Sequence, residues 1–143
     1  VWVQFFGRRL IILGKGGGVL EDTGWVDITW STNFQNYGGS PESQPQIRRF
    51  GKIVYLEGDA ACTDATVAAA VSSSTTVSTN IMFTLPEGFP PVGGDVVVVC
   101  QGSGANRWAI RVQQNGIVYA HRYGLDAAST GSWLPFNVTW MVE

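Results

Sequence analysis

The dipeptide Asn115-Gly116 constrains this chain more than any other feature. It separates two runs of alternating apolar residues, Arg107 to Val112 and Ile117 to Tyr123, and both central residues of a type I′ turn need the positive φ that Asn and Gly tolerate best. A two-residue hairpin is the expectation. Counting outward from that turn pairs Gln114 with Ile117, Val112 with Tyr119, Ile110 with His121 and Trp108 with Tyr123, and puts these side chains on one face. The other face would carry Arg107, Arg111 and Arg122 beside Ala109, Val118 and Ala120. One face is core-like and the other small and basic. A one-residue slip would move Trp108 and Ile110 into water.

The punctuation elsewhere is that of a β protein. Trp25 to Trp30, Ile47 to Gly58, Ile81 to Leu85 and Trp133 to Val142 read as strands, with Ile47 to Gly58 central and Trp133 to Val142 closing the fold. Asp95 to Gln101 holds four consecutive valines and reads as a strand buried on both sides. Ser31 to Pro45 and residues 124 to 132 are polar, Gly-bearing loops. Residues 59 to 80 contain several alanines, but the run Ser72-Ser73-Ser74-Thr75-Thr76 disfavours a helix, so a loop and a weak edge strand are expected there. About seven short strands with turns between them and no amphipathic helix argue for an all-β fold, a small antiparallel β-barrel or sandwich.

Residues 24–143 would form that domain, and residues 1–23 stand apart from it. The latter consist of two apolar runs, Val1 to Phe6 and Leu10 to Leu13, followed by Gly14-Lys15-Gly16-Gly17-Gly18. The lysine precedes the glycines and no strand-to-helix pattern follows, so this is read as a linker and not a phosphate loop. The runs themselves are either a hairpin about Gly7-Arg8 or the end of a neck that packs against other chains. The first residue is Val and not Met, which suggests a piece of a longer polypeptide.

Composition narrows the function classes. Charged residues are 14% of the 143, against about 25% in an average soluble protein, while glycines number 18 and aromatics reach 12%. A surface so poor in solvating groups suggests that copies of the chain cover part of it. The net charge is −2 and the basic pairs Arg8-Arg9 and Arg48-Arg49 are isolated, which argues against nucleic-acid binding. No apolar stretch reaches the roughly 18 residues that a membrane helix needs. Cys62 and Cys100 are too few for a disulfide framework and match no metal spacing, so two free, buried thiols and assembly in a reducing compartment are expected, with no metal and no cofactor.

Four segments, in order, carry a family resemblance. They are Trp25-Val26-Asp27-Ile28; Arg48-Arg49-Phe50-Gly51-Lys52-Ile53-Val54-Tyr55-Leu56-Glu57-Gly58; Leu85-Pro86-Glu87-Gly88-Phe89-Pro90-Pro91; and Val112-Gln113-Gln114-Asn115-Gly116-Ile117-Val118. Their succession resembles the C-terminal head domain of receptor-binding proteins, the tail or baseplate adhesins of long-tailed phages that infect lactic acid bacteria and related Gram-positive hosts. In that family a Val stands where this chain has Ile117. The resemblance implies a homotrimeric head at the tail tip or baseplate of a virion assembled in the bacterial cytoplasm. Such a head binds a host cell-wall polysaccharide without cleaving it and joins other tail or baseplate proteins through its N-terminal part.

Saccharide binding needs a flat apolar surface for the C–H face of a sugar and planar polar groups for its hydroxyls. Trp108, Tyr123 and Trp133 could supply the first, and Arg107, His121, Arg122 and Asp126 the second. Arg107 and Arg122 would also suit a phosphate-bearing polymer. Each has a plainer reading: Trp108 and Tyr123 as core, His121 as a satisfied core or interface residue, the arginines as solubilising charges. Catalysis is not expected. Glu57 and Asp59 are neighbours on one strand face and cannot flank a glycosidic bond, and no serine sits in a nucleophile elbow. A purely structural trimeric module, whose aromatic face is only an intersubunit core, is the competing reading.

Overall fold

The last strand of the chain shows how the sequence builds the fold. Leu134, Phe136, Val138 and Trp140 are buried, while Pro135, Asn137, Thr139 and Met141 between them are not. That period of two is the mark of a strand with one face on a core. The protein is described by a computed structural model covering residues 2–6, 9–13 and 19–142. Its strands are β1 (Trp2–Phe6), β2 (Arg9–Leu13), β3 (Val19–Asp22), β4 (Val26–Asp27), β5 (Phe34–Asn36), β6 (Gln46–Phe50), β7 (Ile53–Cys62), β8 (Ile81–Thr84), β9 (Val96–Gln101), β10 (Arg107–Val112), β11 (Ile117–Gly124) and β12 (Leu134–Met141).

They form two antiparallel sheets packed as a sandwich. In the first, β1, β2, β3, β6, β7 and β12 lie side by side, with β4 also paired to β6 and β5 to β7; in the second the order is β8, β11, β10, β9. The fold is thus all-β as expected, with more and shorter strands. Between the sheets sits an aromatic cluster centred on Phe136, whose ring lies 6.2 Å from Trp108 at 89°, 6.2 Å from Trp30 at 84° and 5.9 Å from Phe83. These edge-on and tilted contacts are the favoured geometries for aromatic quadrupoles.

The β10–β11 hairpin forms where the sequence places it, but its register is one residue off. Val112 pairs with Val118, Arg111 with Tyr119, Ile110 with Ala120 and Ala109 with His121. The cause is the turn. Gly116 N–H donates to Gln113 O at 2.9 Å and Gln113 N–H to Ile117 O at 3.0 Å, so the loop has three residues, Gln114, Asn115 and Gly116. Gly116 takes the positive φ of 87° and Asn115 does not, the geometry of a type I turn closed by a left-handed glycine. Val118 and Ala120 therefore face the core in place of Tyr119 and His121.

A bulge then reverses the parity. Arg107 pairs with Gly124 and Ala109 with His121, so β11 has one more residue than β10 in that interval. Arg122 is thrown outward at φ 61°, its N–H held by Ser73 O at 2.7 Å, and Tyr123 turns into the core.

Three other expectations are corrected. The stretch Ile47 to Gly58 is not one strand but two, β6 and β7, joined by Gly51-Lys52 with Phe50 paired to Ile53; Gly51 has φ 59°, as a tight hairpin turn requires at its first central position. Residues 65–72, within the stretch expected as a loop and a weak edge strand, form helix α1 (Ala65–Ser72). Asp64 caps it by accepting from Val67 N–H at 2.9 Å, and Val67, Ala68 and Val71 bury against the end of the core near β7 and β11. β9, expected to be buried on both faces, is an edge strand whose Val97 and Val99 are 50% and 70% exposed.

β1 and β2 pair as an antiparallel hairpin, and β3 carries them to the edge of β6 through Asp22 and Phe50. There Arg48 Nε donates to Asp22 Oδ1 at 2.9 Å, which holds the Asp22 carboxyl below the usual carboxylate range. The Gly14 to Gly18 linker lies outside the described residues. Both cysteines are free thiols, Cys62 buried and Cys100 half-buried, and burial pushes each up to about 11.

Candidate functional site

The seven residues singled out from sequence do not come together. Trp108 and His121 are each 1% exposed and Tyr123 is buried with them, so none presents a surface to a ligand. The Trp108 indole N–H is spent on Gln101 O at 2.9 Å, and Tyr123 Oη accepts from Ser103 N–H at 3.3 Å. His121 sits opposite Ala109 with Nδ1 3.4 Å from Ser74 O, and its Nε2 has no partner among the described residues. Burial and the nearby Arg122 and Arg111 push its pKa below the ordinary value, against the opposing effect of the Ser74 carbonyl. Arg107, Arg122 and Asp126 are exposed at one end of the second sheet. Asp126 is fixed there by Asn106, whose Oδ1 accepts from the Asp126 N–H at 2.7 Å.

Trp133 is the exception. It lines an open groove of about 590 Å³ that runs between β9 at the edge of the second sheet and the outward face of β7 and β12 in the first. The half-buried indole is fixed on three sides: Nε1 donates to Asp59 Oδ1 at 3.0 Å, the backbone N–H donates to Ser103 Oγ at 2.8 Å, and the ring lies 6.4 Å from that of Tyr37. An aromatic plate held this way needs no reordering when a ligand arrives.

The walls are polar. Glu57 and Asp59 project from β7 and Asn137 from β12; Gln46 comes from β6; Glu42 and Gln44 come from the 3₁₀ turn Pro41–Ser43 and the residue after it. Strand alternation explains the first three. Leu56, Gly58 and Ala60 point inward, so Glu57 and Asp59 must point out, and Asn137 pairs with Glu57 on the same side. Gln44 Nε2 donates to Ile28 O at 2.6 Å and Gln46 Nε2 to Asp27 Oδ1 at 2.7 Å, which orients both amides. Gln101 Nε2 reaches Gly104 O at 2.7 Å and holds the loop that supports Trp133. The inner wall is formed by Val98, Cys100 and Phe136 over Gly58. Gly58 has no room for a side chain, since a Cβ there would lie 2.7 Å from Phe136 Cζ and 3.0 Å from Pro45 Cα.

Among the described residues, three carboxylates line the groove and no Lys or Arg does. Carboxylates accept hydrogen bonds and carboxamides both accept and donate, so the surface is matched to a ligand rich in hydroxyl groups and mismatched to a polyanion. Among the described residues no cluster of three or more His, Cys, Asp or Glu is arranged to hold a metal ion. Sequence reasoning gave no binding role to Glu42, Gln44, Gln46 or Asn137, and weighed Glu57 and Asp59 only for hydrolysis. For Glu57, Asp59 and Asn137 the signal was the polar character of the outward positions of β7 and β12. No family model, no curated protein and no solved structure matches the chain.

Proposed function

We propose that the protein is the saccharide-binding head of a phage tail receptor-binding protein, adhering to a host cell-wall polysaccharide without cutting it. The observation that carries this reading is the groove at Trp133, where a fixed indole stands among carboxylates and carboxamides in an open trough. An indole face takes the C–H side of a pyranose, and the acceptors around it take the hydroxyls. The three carboxylates favour a neutral glycan over a phosphate-bearing one.

The head works as a homotrimer, and its N-terminal part joins it to other tail or baseplate proteins. The outward Val97 of β9, which does not line the groove, supports self-association, because an apolar side chain on an edge strand is a surface that another copy can cover. Three equivalent sites per head convert weak individual contacts into firm adhesion through effective concentration.

Light scattering gives the mass, and titration calorimetry with wall polysaccharide from lactic acid bacteria, backed by a glycan array, gives the binding. A trimer that binds, and loses binding on Trp133→Ala, is the expected result. A protein that binds no glycan is the structural module instead. Glu42 approaches the groove from a different element than Glu57 and Asp59, so the same incubations are assayed for new reducing ends. Their appearance would replace adhesion by hydrolysis.

A further inference from the structure

The outward face of the first sheet carries a second hollow, about 330 Å³, lined by Trp25, Arg48, Phe50 and Tyr55. It is built of aromatic rings on a strand face that ought to be polar. Trp25 is 40% exposed and Tyr55 37%. Arg48 lines the hollow with them, and its guanidinium is paired with Asp22, so its charge is compensated.

The register places this hollow beside the groove on the same sheet face. Gln46 pairs with Glu57, and both line the groove; Arg48 pairs with Tyr55, and both line the hollow. These are successive outward-facing rungs of one ladder, since the rung between them, Ile47 with Leu56, points into the core. From Asp59 beside the Trp133 indole to Tyr55 is four residues along β7, about 13 Å, the span of roughly two to three hexose units in an extended chain.

We infer that the groove and the hollow are two ends of one binding track, which takes a linear, neutral glycan along β6 and β7 with an aromatic platform at each end. The inference rests on the saccharide reading of the groove and extends it: the ligand is a stretch of polymer, not a terminal sugar. Trp133 holds one unit, Glu57 and Gln46 accept from hydroxyls in the middle, and Tyr55 with Trp25 holds a later unit. A single platform would recognise any chain end of suitable stereochemistry. Two platforms a fixed distance apart also select for a chain whose repeat brings C–H faces into register with both rings.

The test is the length dependence of binding. Fragments of lactic acid bacterial wall polysaccharide, sized from disaccharides to decasaccharides, are titrated against the intact protein and against Trp25→Ala and Tyr55→Ala. Affinity should rise with fragment length until the track is filled, and each substitution should reduce the ratio of long-fragment to short-fragment affinity by about 3- to 10-fold, the worth of one aromatic contact. Saturation-transfer NMR on the unsubstituted protein gives an independent reading, with the Tyr55 ring protons responding to long fragments and not to disaccharides. Equal affinities for all lengths and a silent Tyr55 ring would overturn the track while leaving the groove a saccharide site. Failure of every fragment to bind would remove the saccharide reading itself, and the track with it.

Discussion

The β10–β11 hairpin and the outward face of β6, β7 and β12 both mix aromatic with polar residues, and they use them in opposite ways. In the hairpin, Trp108 and Tyr123 enter the core, and their polar atoms are matched to backbone groups at the end of β9 and in the loop after it. On the outward face, Trp133 and Tyr55 keep part of their rings in solvent, and the polar groups around Trp133 stay at the surface. An aromatic residue in step with an apolar alternation is structural. One that breaks the alternation, or stands on its polar side, is available for recognition. Two substitutions separate these roles most sharply. Trp108→Ala should cost about 3–5 kcal/mol, for a cavity against Phe136 and an orphaned Gln101 carbonyl. Trp133→Ala should cost clearly less in stability and abolish glycan binding. Urea denaturation of both variants, with calorimetry on the folded one, decides it; equal stability losses would break the comparison.

A smaller effect is expected where the two regions meet. Phe136 belongs to the core cluster and to the inner wall of the groove, and it passes directly over Gly58. In Gly58→Ala the new methyl group meets the Phe136 ring and the Pro45 backbone, of which only the ring can move. About 1–3 kcal/mol of destabilisation follows from such overpacking. The displaced ring should also weaken glycan binding, so a variant that loses stability with unchanged affinity would show that the groove does not depend on its inner wall.

The legibility of the sequence follows the same division. The alternating run in β12 and the Asn-Gly hairpin were readable because each depends on local pattern and on one buried face. The register was not, because Asn115-Gly116 suits both a two-residue turn and a three-residue turn closed by Gly116. The choice is made by burying Val118 and Ala120 and by the bulge at Arg122, which no local rule announces. Helix α1 was missed because the serines after it outweighed Asp64, whose capping role is visible only once the chain behind it is seen to end a strand at Cys62. The four valines of β9 read as buried because composition does not say which strand of a sheet is the edge. Of the groove, only Trp133 was foreseen. Its other walls come from β6, β7, β9, β12 and a 3₁₀ turn far apart in sequence, and their proximity is a property of the fold.

The cap gives a lesser and purely local effect. Asp64→Ala should destabilise by about 1 kcal/mol, with Asp64→Asn recovering most of it, since either side chain can accept from Val67 N–H. Because α1 packs at the β11 side of the molecule, glycan affinity should be unmoved. A change in affinity would show that the two regions are coupled.

The smallest effect, and the most specific, belongs to His121. Its imidazole is buried, with Nε2 unpartnered among the described residues, and burial favours the neutral ring and lowers its pKa from the ordinary 6.5. Between that lowered value and 6.5 the unfolded chain binds more protons than the folded one, and stability must rise with pH across the window. The contribution is complete above 6.5 and is lost as the pH falls through the window. Asp22 acts separately, because its carboxyl is held below 3.8 by Arg48 and its contribution disappears only in stronger acid. Urea midpoints measured from about pH 7 down to about pH 5 should therefore decline in the native sequence and decline less in His121→Leu. Glycan affinity, corrected for the folded fraction, should not follow His121, because the residue lies in the hairpin and outside the groove. Parallel slopes in the two proteins would mean that His121 is not the titrating group, and an affinity that tracked its protonation would join the two regions that the structure keeps apart.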